Sequence, residues 1–393
     1  MKQLYERKMD FGVLEISLEG TSFLEEQGLD ANETLRKILA AAGSDVLAFK
    51  NFNLSLVLIS GMPEKLRSSA EAVIAAFSDS EEFKRSATLI LASNTAAFSD
   101  LEELMRFLQF VHIKDKDEKE LLIYADEEMI AQYKRKFVIE QQITEALEED
   151  RVEIFLQPIY SNQEKRFASA EALVRIRKPD GDLLPPGLFI PVAEATGQIL
   201  ELGERVFEKV CQLLQQVDIA SLGVRYIEIN LSVVQCEKTN LSDRLISIMN
   251  QYQVSPEMIN LEITETASIG AQKTLLKNMK TLIEYGLTFS LDDFGKGESN
   301  LMYVVEMPVS IVKLDYDMSK SFFQSVKAKQ VVRAVLSMAH SLNLKVVAEG
   351  IETEEEAFYM EQEGVDYIQG FHYSKPLPLQ EYVAFIMARA QNV

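Results

Sequence analysis

The chain has 393 residues and a mass of 44.5 kDa, with 61 acidic side chains against 40 basic ones and a formal net charge of −21. That length predicts two or three domains. The charge excludes sequence-independent binding to a nucleic-acid backbone, which needs clustered Lys and Arg, and disfavours an anionic membrane surface.

The N-terminal third alternates strand-like and helix-like stretches. FGVLEISL (11–18) predicts a strand, and ANETLRKILAAAG (31–43) a helix stopped by Gly43. DVLAFKNFNLSLVLIS (45–60) predicts a hairpin turning near Asn51 and Asn53. A helix over 64–77, a strand over 85–93 and a helix over 100–111 follow. Residues 1–124 thus form an α/β domain. Residues 125–150, rich in helix formers and charges, predict a solvated helix linking it to a second domain at 151–393.

In that second domain, short apolar strands are predicted at 152–158, 167–176, 225–232, 259–265, 287–294, 310–315, 344–350 and 366–371. Amphipathic stretches such as 273–286 and 328–342 lie between most of them. This is the rhythm of a TIM-like (β/α)8 barrel. The join between the first two strands is too short for a crossover helix, so the first strand is expected to run antiparallel.

Polar side chains stand where these core strands end: Asn230, Glu262, Asp292 with Asp293, Lys313, Glu349 and Gln369, with Glu171 inside the second strand. In a barrel all such ends meet at one face, so residues that span 199 positions of the chain converge. Converging carboxylates raise one another's pKa unless a cation intervenes. Two cysteines (Cys211 and Cys236) and three histidines (His112, His340 and His372) supply no zinc site, so the ligands must be oxygens. Oxygen ligands favour magnesium, manganese or calcium. Five carboxylates and a carboxamide suit two metals sharing a bridging aspartate, an arrangement suited to in-line displacement at phosphorus. Lys313 is placed to hold the attacking water and neutralise developing charge. Each residue alone has an ordinary reading: a capping or solvated Glu, a surface Lys, a turn at FGKG. Their coincidence across the strands is what points to a site.

The motifs EALVR (171–175), EINLS (228–232), LEITET (261–266), SLDDFGKGESN (290–300), VKLD (312–315), VVAEGIET (346–353) and YIQGF (367–371) resemble those of the EAL-domain phosphodiesterases. FLQP (155–158) and FIPVAEATG (189–197) extend the resemblance over about residues 140–390. It implies hydrolysis of cyclic di-GMP to the linear dinucleotide pGpG with two divalent cations, Mg2+ or Mn2+. By the resemblance the metal ligands fall on Glu171, Asn230, Glu262, Asp292, Asp293 and Glu349. Lys313, Glu349, Glu352 and Gln369 fall on catalytic positions, and Gln157, Leu173 and Arg175 on substrate-contact positions. Glu265 falls on the residue that supports the loop after Asp293. That loop departs from the family's DFG-x-GYSS pattern, with Glu298 for the tyrosine and Asn300 for a serine. The alternative is a weak or inactive receptor or scaffold of the same fold.

The N-terminal domain resembles a degenerate GGDEF domain, with NFNLS (51–55) at the signature position and IYADEEM (123–129) at the junction. Both signature glycines and both acids are missing, so no cyclase activity is expected. The inhibitory-site arginine would fall at Ala42, leaving only Asp45 there. The resemblance further implies a homodimer through the EAL domain. No signal peptide or bilayer-spanning apolar run is read from the sequence, so a cytoplasmic protein is expected.

Overall fold

A computed structural model describes residues 11–18, 31–43, 46–50, 55–114, 120–264, 272–296 and 302–390. The chain divides into two compact units between Val138 and Ile139.

The first unit is built on a five-stranded sheet in the order β2-β3-β1-β4-β5. Its strands are β1 (Gly12–Leu18), β2 (Leu47–Lys50), β3 (Ser55–Ser60), β4 (Ala87–Ala92) and β5 (Leu122–Ala125). Its helices are α1 (Ala31–Ala42), α2 (Pro63–Ala76), α3 (Glu81–Ser86) and α4 (Leu101–Lys114). Alternation along β1 and β3 sends Leu14, Ile16, Leu56 and Leu58 into one core beneath α1 and α2. The opposite face sends Val13, Val57 and Ile59 into a second core beneath α4. The hairpin is present, with β2 antiparallel to β3, although its turn at 51–54 lies outside the described residues, as does Asp45. The strand expected at 85–93 starts two residues later. Ser80 accepts from the Phe83 N–H and caps α3, which runs through Ser86.

Helix α5 (Glu127–Glu148) corrects the expected solvated linker. Its first half buries Ile130 and Tyr133 in the core of the first unit. Its second half buries Ile143, Ala146 and Leu147 in the core of the second. Helical spacing among charges hid these two apolar faces because they are a turn or more apart.

The second unit is a closed eight-stranded barrel. Its strands are β6 (Val152–Ser161), β7 (Arg166–Arg177), β9 (Tyr226–Leu231), β10 (Ile259–Thr264), β11 (Thr288–Phe294), β12 (Ile311–Leu314), β13 (Lys345–Ala348) and β14 (Tyr367–Gln369). Two-residue strands β8 (Leu183–Leu184) and β15 (Leu377–Pro378) pair outside the ring. From β7 to β14 the ring strands pair in parallel. The expected reversal of the first strand is present: β6 is antiparallel to both β7 and β14 and closes the ring.

Around the ring lie α6 (Pro186–Thr196), α7 (Ile199–Gln216), α8 (Val233–Cys236), α9 (Leu241–Tyr252), α10 (Gln272–Tyr285), α11 (Met302–Glu306), α12 (Tyr316–Gln324), α13 (Val326–Ser341), α14 (Glu354–Gln362) and α15 (Leu379–Ala390). Helix α7 shows why they stay there. Leu202, Val206, Phe207, Val210 and Leu213 form one stripe against the strands, and each large side chain so buried contributes about 1.5–3 kcal/mol. Inside the ring, Ile159, Ala168, Ile311, Val347 and Tyr367 form an apolar plug at the base. Above it the interior turns polar.

Candidate active site and metal centre

Strand register sets the site. Glu171 on β7 pairs with Glu228 on β9, and Asn230 on β9 pairs with Glu262 on β10. Residues two apart on a strand share a face, so Glu171, Leu173 and Arg175 line one side together. Between β11 and β12 the register shifts, so Asp292 and Asp293 together stand opposite Lys313 alone. Asp293 adopts φ +56, the left-handed conformation that Asp tolerates better than most residues. This bulge keeps two consecutive aspartates at the strand end, where regular pleating would turn one of them away.

Lys313 stands at the centre with no solvent exposure. Its Nζ lies 2.5 Å from Glu262 Oε1, 2.8 Å from Glu349 Oε1 and 3.5 Å from Glu171 Oε2. Glu228 Oε2 is 3.6 Å away and Asp292 Oδ1 3.9 Å. An enclosed ammonium is stable only with such partners. Burial works against its charge, but Glu171, Glu262, Glu349 and Asp292 outweigh it and hold its pKa well above the usual lysine range.

The carboxylates divide. Burial pushes Glu262 well above the ordinary range and Glu349 up to about 8, with Lys313 offsetting only part of the effect. Asp292 is raised for the same reason. Glu171 is also buried, but Lys313 and the amides of Gln369 and Asn230 more than compensate and hold it low. Gln369 Nε2 donates to Glu171 Oε2 at 2.6 Å and Asn230 Nδ2 donates to Glu171 Oε1 at 2.7 Å. Gln369 Nε2 also reaches Gln157 Oε1 at 3.2 Å, and Gln157 Nε2 donates to the Ser374 carbonyl. The Arg175 guanidinium lies over the Phe155 ring, 5.4 Å from its centroid, and burial lowers its pKa.

Of the residues singled out in the sequence, Glu171, Asn230, Glu262, Asp292, Lys313, Glu349, Gln369 and Gln157 are therefore in one connected network. Asp293 instead pairs with Lys296, both carboxylate oxygens 3.1 Å from Nζ. Glu352 is exposed and faces Lys320 at 3.6 Å. Glu265, Glu298 and Asn300 lie outside the described residues. Glu228 is the member sequence reasoning missed. The available signal was an acid two places before Asn230, at an inward position of an apolar strand.

The donor chemistry fits hard divalent cations, since every donor is oxygen. Glu262 Oε2 and Asp292 Oδ1 are buried and make no hydrogen bond within the described residues. As the side chains stand, no three acidic, His or Cys residues among those described are arranged to hold a metal ion. The carboxylates are gathered on Lys313 instead. A separate cavity of about 390 Å³, lined by residues of β6, α7 and α15, contains none of the network.

The family model described as EAL domain matches residues 140–376, the whole barrel. The chain belongs to the EAL domain family. The signaling protein YkoW of Bacillus subtilis is 33% identical over 252 residues, 63% of this chain and 31% of that protein. The cyclic di-GMP phosphodiesterase NbdA of Pseudomonas aeruginosa is 31% identical over 274 residues, 69% of this chain and 34% of that one. The chain thus spans about a third of the length of these curated relatives. Among solved structures, the PaMucR phosphodiesterase in complex with c-di-GMP is 29% identical with a TM-score of 0.59, covering 62% of this chain and 99% of that one. No helix among the described residues is long and apolar enough to cross a membrane.

Proposed function

We propose that this EAL domain hydrolyses one phosphodiester bond of cyclic di-GMP to give linear pGpG. The observation that carries the reading is the convergence of Glu171, Glu262, Asp292 and Glu349 on one buried point, with Lys313 among them. The relatives named as cyclic di-GMP phosphodiesterases, and the solved complex with that ligand, supply the substrate.

In this reading Glu171, Asn230, Glu262, Asp292, Asp293 and Glu349 hold two divalent cations, Mg2+ or Mn2+. Such cations supply Lewis acidity toward the phosphoryl oxygens and offset the repulsion between an anionic substrate and an acidic site. Lys313 carries a permanent positive charge beside the reacting phosphorus and stabilises charge that develops there. Gln369 fixes the orientation of Glu171 by the 2.6 Å hydrogen bond described above. Arg175 binds the phosphate, its guanidinium half-sheltered against Phe155, while Leu173 and Gln157 contact the rest of the ligand. Glu352, which faces Lys320, belongs to the catalytic positions of this reading.

A second reading, a receptor without turnover, is favoured by Lys296. Its ammonium takes both oxygens of Asp293 and so competes with a cation there. The assay that separates the two incubates the protein with cyclic di-GMP and Mg2+ or Mn2+ and follows pGpG by chromatography. Turnover that is lost in Glu171→Ala by at least about 100-fold supports the enzyme. Tight binding without product under either metal supports the receptor.

We read the first unit as a degenerate GGDEF-like regulatory domain. The β2–β3 hairpin supports this, since it stands where that family's signature would fall and the sequence there lacks the glycines and acids. Pairing of two chains through the barrel and a cytoplasmic setting belong to the same proposal.

A further inference from the structure

The interior layer just above the barrel's apolar plug is polar where a (β/α)8 core is ordinarily filled by branched apolar side chains. Ser169, Glu228, Asn260 and Ser290 are all fully enclosed there. Asn260 and Ser290 satisfy each other: Ser290 Oγ donates to Asn260 Oδ1 at 2.7 Å, and Asn260 Nδ2 to Thr288 Oγ1 at 2.9 Å. Glu228 is different. Its Oε1 receives a long 3.4 Å contact from Ser169 Oγ, and its Oε2 has no hydrogen-bond partner among the described residues. Oε2 points toward the ammonium of Lys313, 3.6 Å away.

A fully enclosed carboxylate is costly unless something charged needs it. Lys313 does. Four of the five carboxylates around its Nζ are the proposed metal ligands, and they cannot serve cations and ammonium with the same oxygens. Glu228 is the fifth, and it sits one pleat deeper than Asn230, on the same inward face of β9. Closing the gap to a charge-assisted hydrogen bond of about 2.9 Å needs a movement of about 0.7 Å, the difference 3.6 − 2.9.

We propose that Glu228 is a positioning residue: it holds the Lys313 ammonium at the floor of the site when cations take up the other carboxylates. The proposal rests on the phosphodiesterase reading for its catalytic consequence, but not for the contact itself. Ser169 assists by fixing the far oxygen of Glu228.

The test uses the full chain, Glu228→Gln, which keeps the shape and removes the charge, and Ser169→Ala, a milder change that leaves the carboxylate in place. With Mg2+ bound, protein labelled at lysine Cε is observed by NMR, and the Lys313 signal is assigned through Lys313→Arg. In the parent the two Hε protons are expected to be inequivalent, because the side chain is held in one position. In Glu228→Gln they collapse to one averaged signal. Hydrolysis of cyclic di-GMP is expected to fall about 10–100-fold in kcat with KM within twofold, the range for removing a partner behind a metal centre. In Ser169→Ala the fall is smaller and in the same direction. The Mg2+ concentration that half-saturates thermal stabilisation stays within twofold of the parent.

Inequivalent Hε protons in Glu228→Gln overturn the proposal, as does an unchanged kcat. A tenfold loss of Mg2+ affinity with kcat unmoved also overturns it, by making Glu228 part of the cation site. If Glu228→Gln does not fold, Ser169→Ala decides by the same NMR and kcat readouts. A parent that binds Mg2+ but makes no pGpG defeats the phosphodiesterase reading alone, and the NMR comparison still decides the role of Glu228.

Discussion

Lys313 shows how one side chain sets the state of a whole site. Glu171, Glu262, Glu349 and Asp292 raise its pKa, while it offsets only part of the burial that raises Glu262, Asp292 and Glu349. Removing it leaves those carboxylates without a counter-charge. Lys313→Met is therefore expected to lose about 3–5 kcal/mol in EDTA, the range for breaking a buried ion pair, and to regain part of that in Mg2+. Urea midpoints in the two buffers measure this, and equal midpoints in EDTA for parent and variant would remove the ammonium from its organising role. Glu171, Glu262, Asp292 and Glu349, which gather on Lys313, were legible in the sequence because polar residues interrupt apolar strands there. Glu228 was passed over, since its one signal, an acid two places before Asn230, gains its meaning when the closed ring sets it against the same interior point. The Asp293–Lys296 pair was equally hidden, being a matter of which way a bulged strand turns.

At the level of elements, β14 is held from both ends. At its exit, a Cβ added to Gly370 would lie 2.0 Å from the Ile351 carbonyl oxygen and 2.4 Å from its nitrogen, both rigid backbone atoms. Gly370→Ala should cost about 1–3 kcal/mol or more, and should reduce hydrolysis further by displacing the adjacent Gln369; denaturation and turnover measured side by side separate the two effects. At its entry, Asp366 accepts from Lys345 Nζ at 2.8 Å, from the Val346 N–H at 2.9 Å, and meets His340 Nε2 at 2.9 Å. Burial would raise this carboxyl, but these partners prevail and hold it below its usual value. A lowered folded-state pKa adds stability that is complete above the unfolded value and disappears as pH falls through the folded one. Asp366→Asn should then be about 1–3 kcal/mol less stable at pH 7, with the difference closing as pH drops below about 4. Denaturation curves at pH 7 and pH 3 check this. The eight barrel strands were readable from periodicity and turn residues alone. Helix α3 was not, since its six residues are fixed by one Ser80 cap rather than by an apolar stripe.

For the whole molecule, the division between the units runs through α5 rather than beside it. Charged helix formers made 125–150 look like a spacer, and only tertiary packing discloses that Ile143 and Leu147 belong to the barrel core. A fragment 139–393 is expected to keep that packing, whereas a fragment 151–393 forgoes it. Losing those two side chains should lower stability by about 3–6 kcal/mol, visible as an earlier urea midpoint. Equal midpoints would show that the second half of α5 is dispensable.

The reversed strand that closes the ring also fixes where the upstream chain arrives. Had β6 run with its neighbours, α5 would feed the base of the barrel, beside the apolar plug. Because β6 is inverted, the helix delivers Arg151 and Val152 opposite Arg177 and Ile176, at the mouth. Arg151 Nη1 holds the Arg177 carbonyl at 2.6 Å, and Glu153 pairs in register with Arg175. The residue that follows α5 is thus hydrogen-bonded to the end of the strand that carries Glu171 and Arg175.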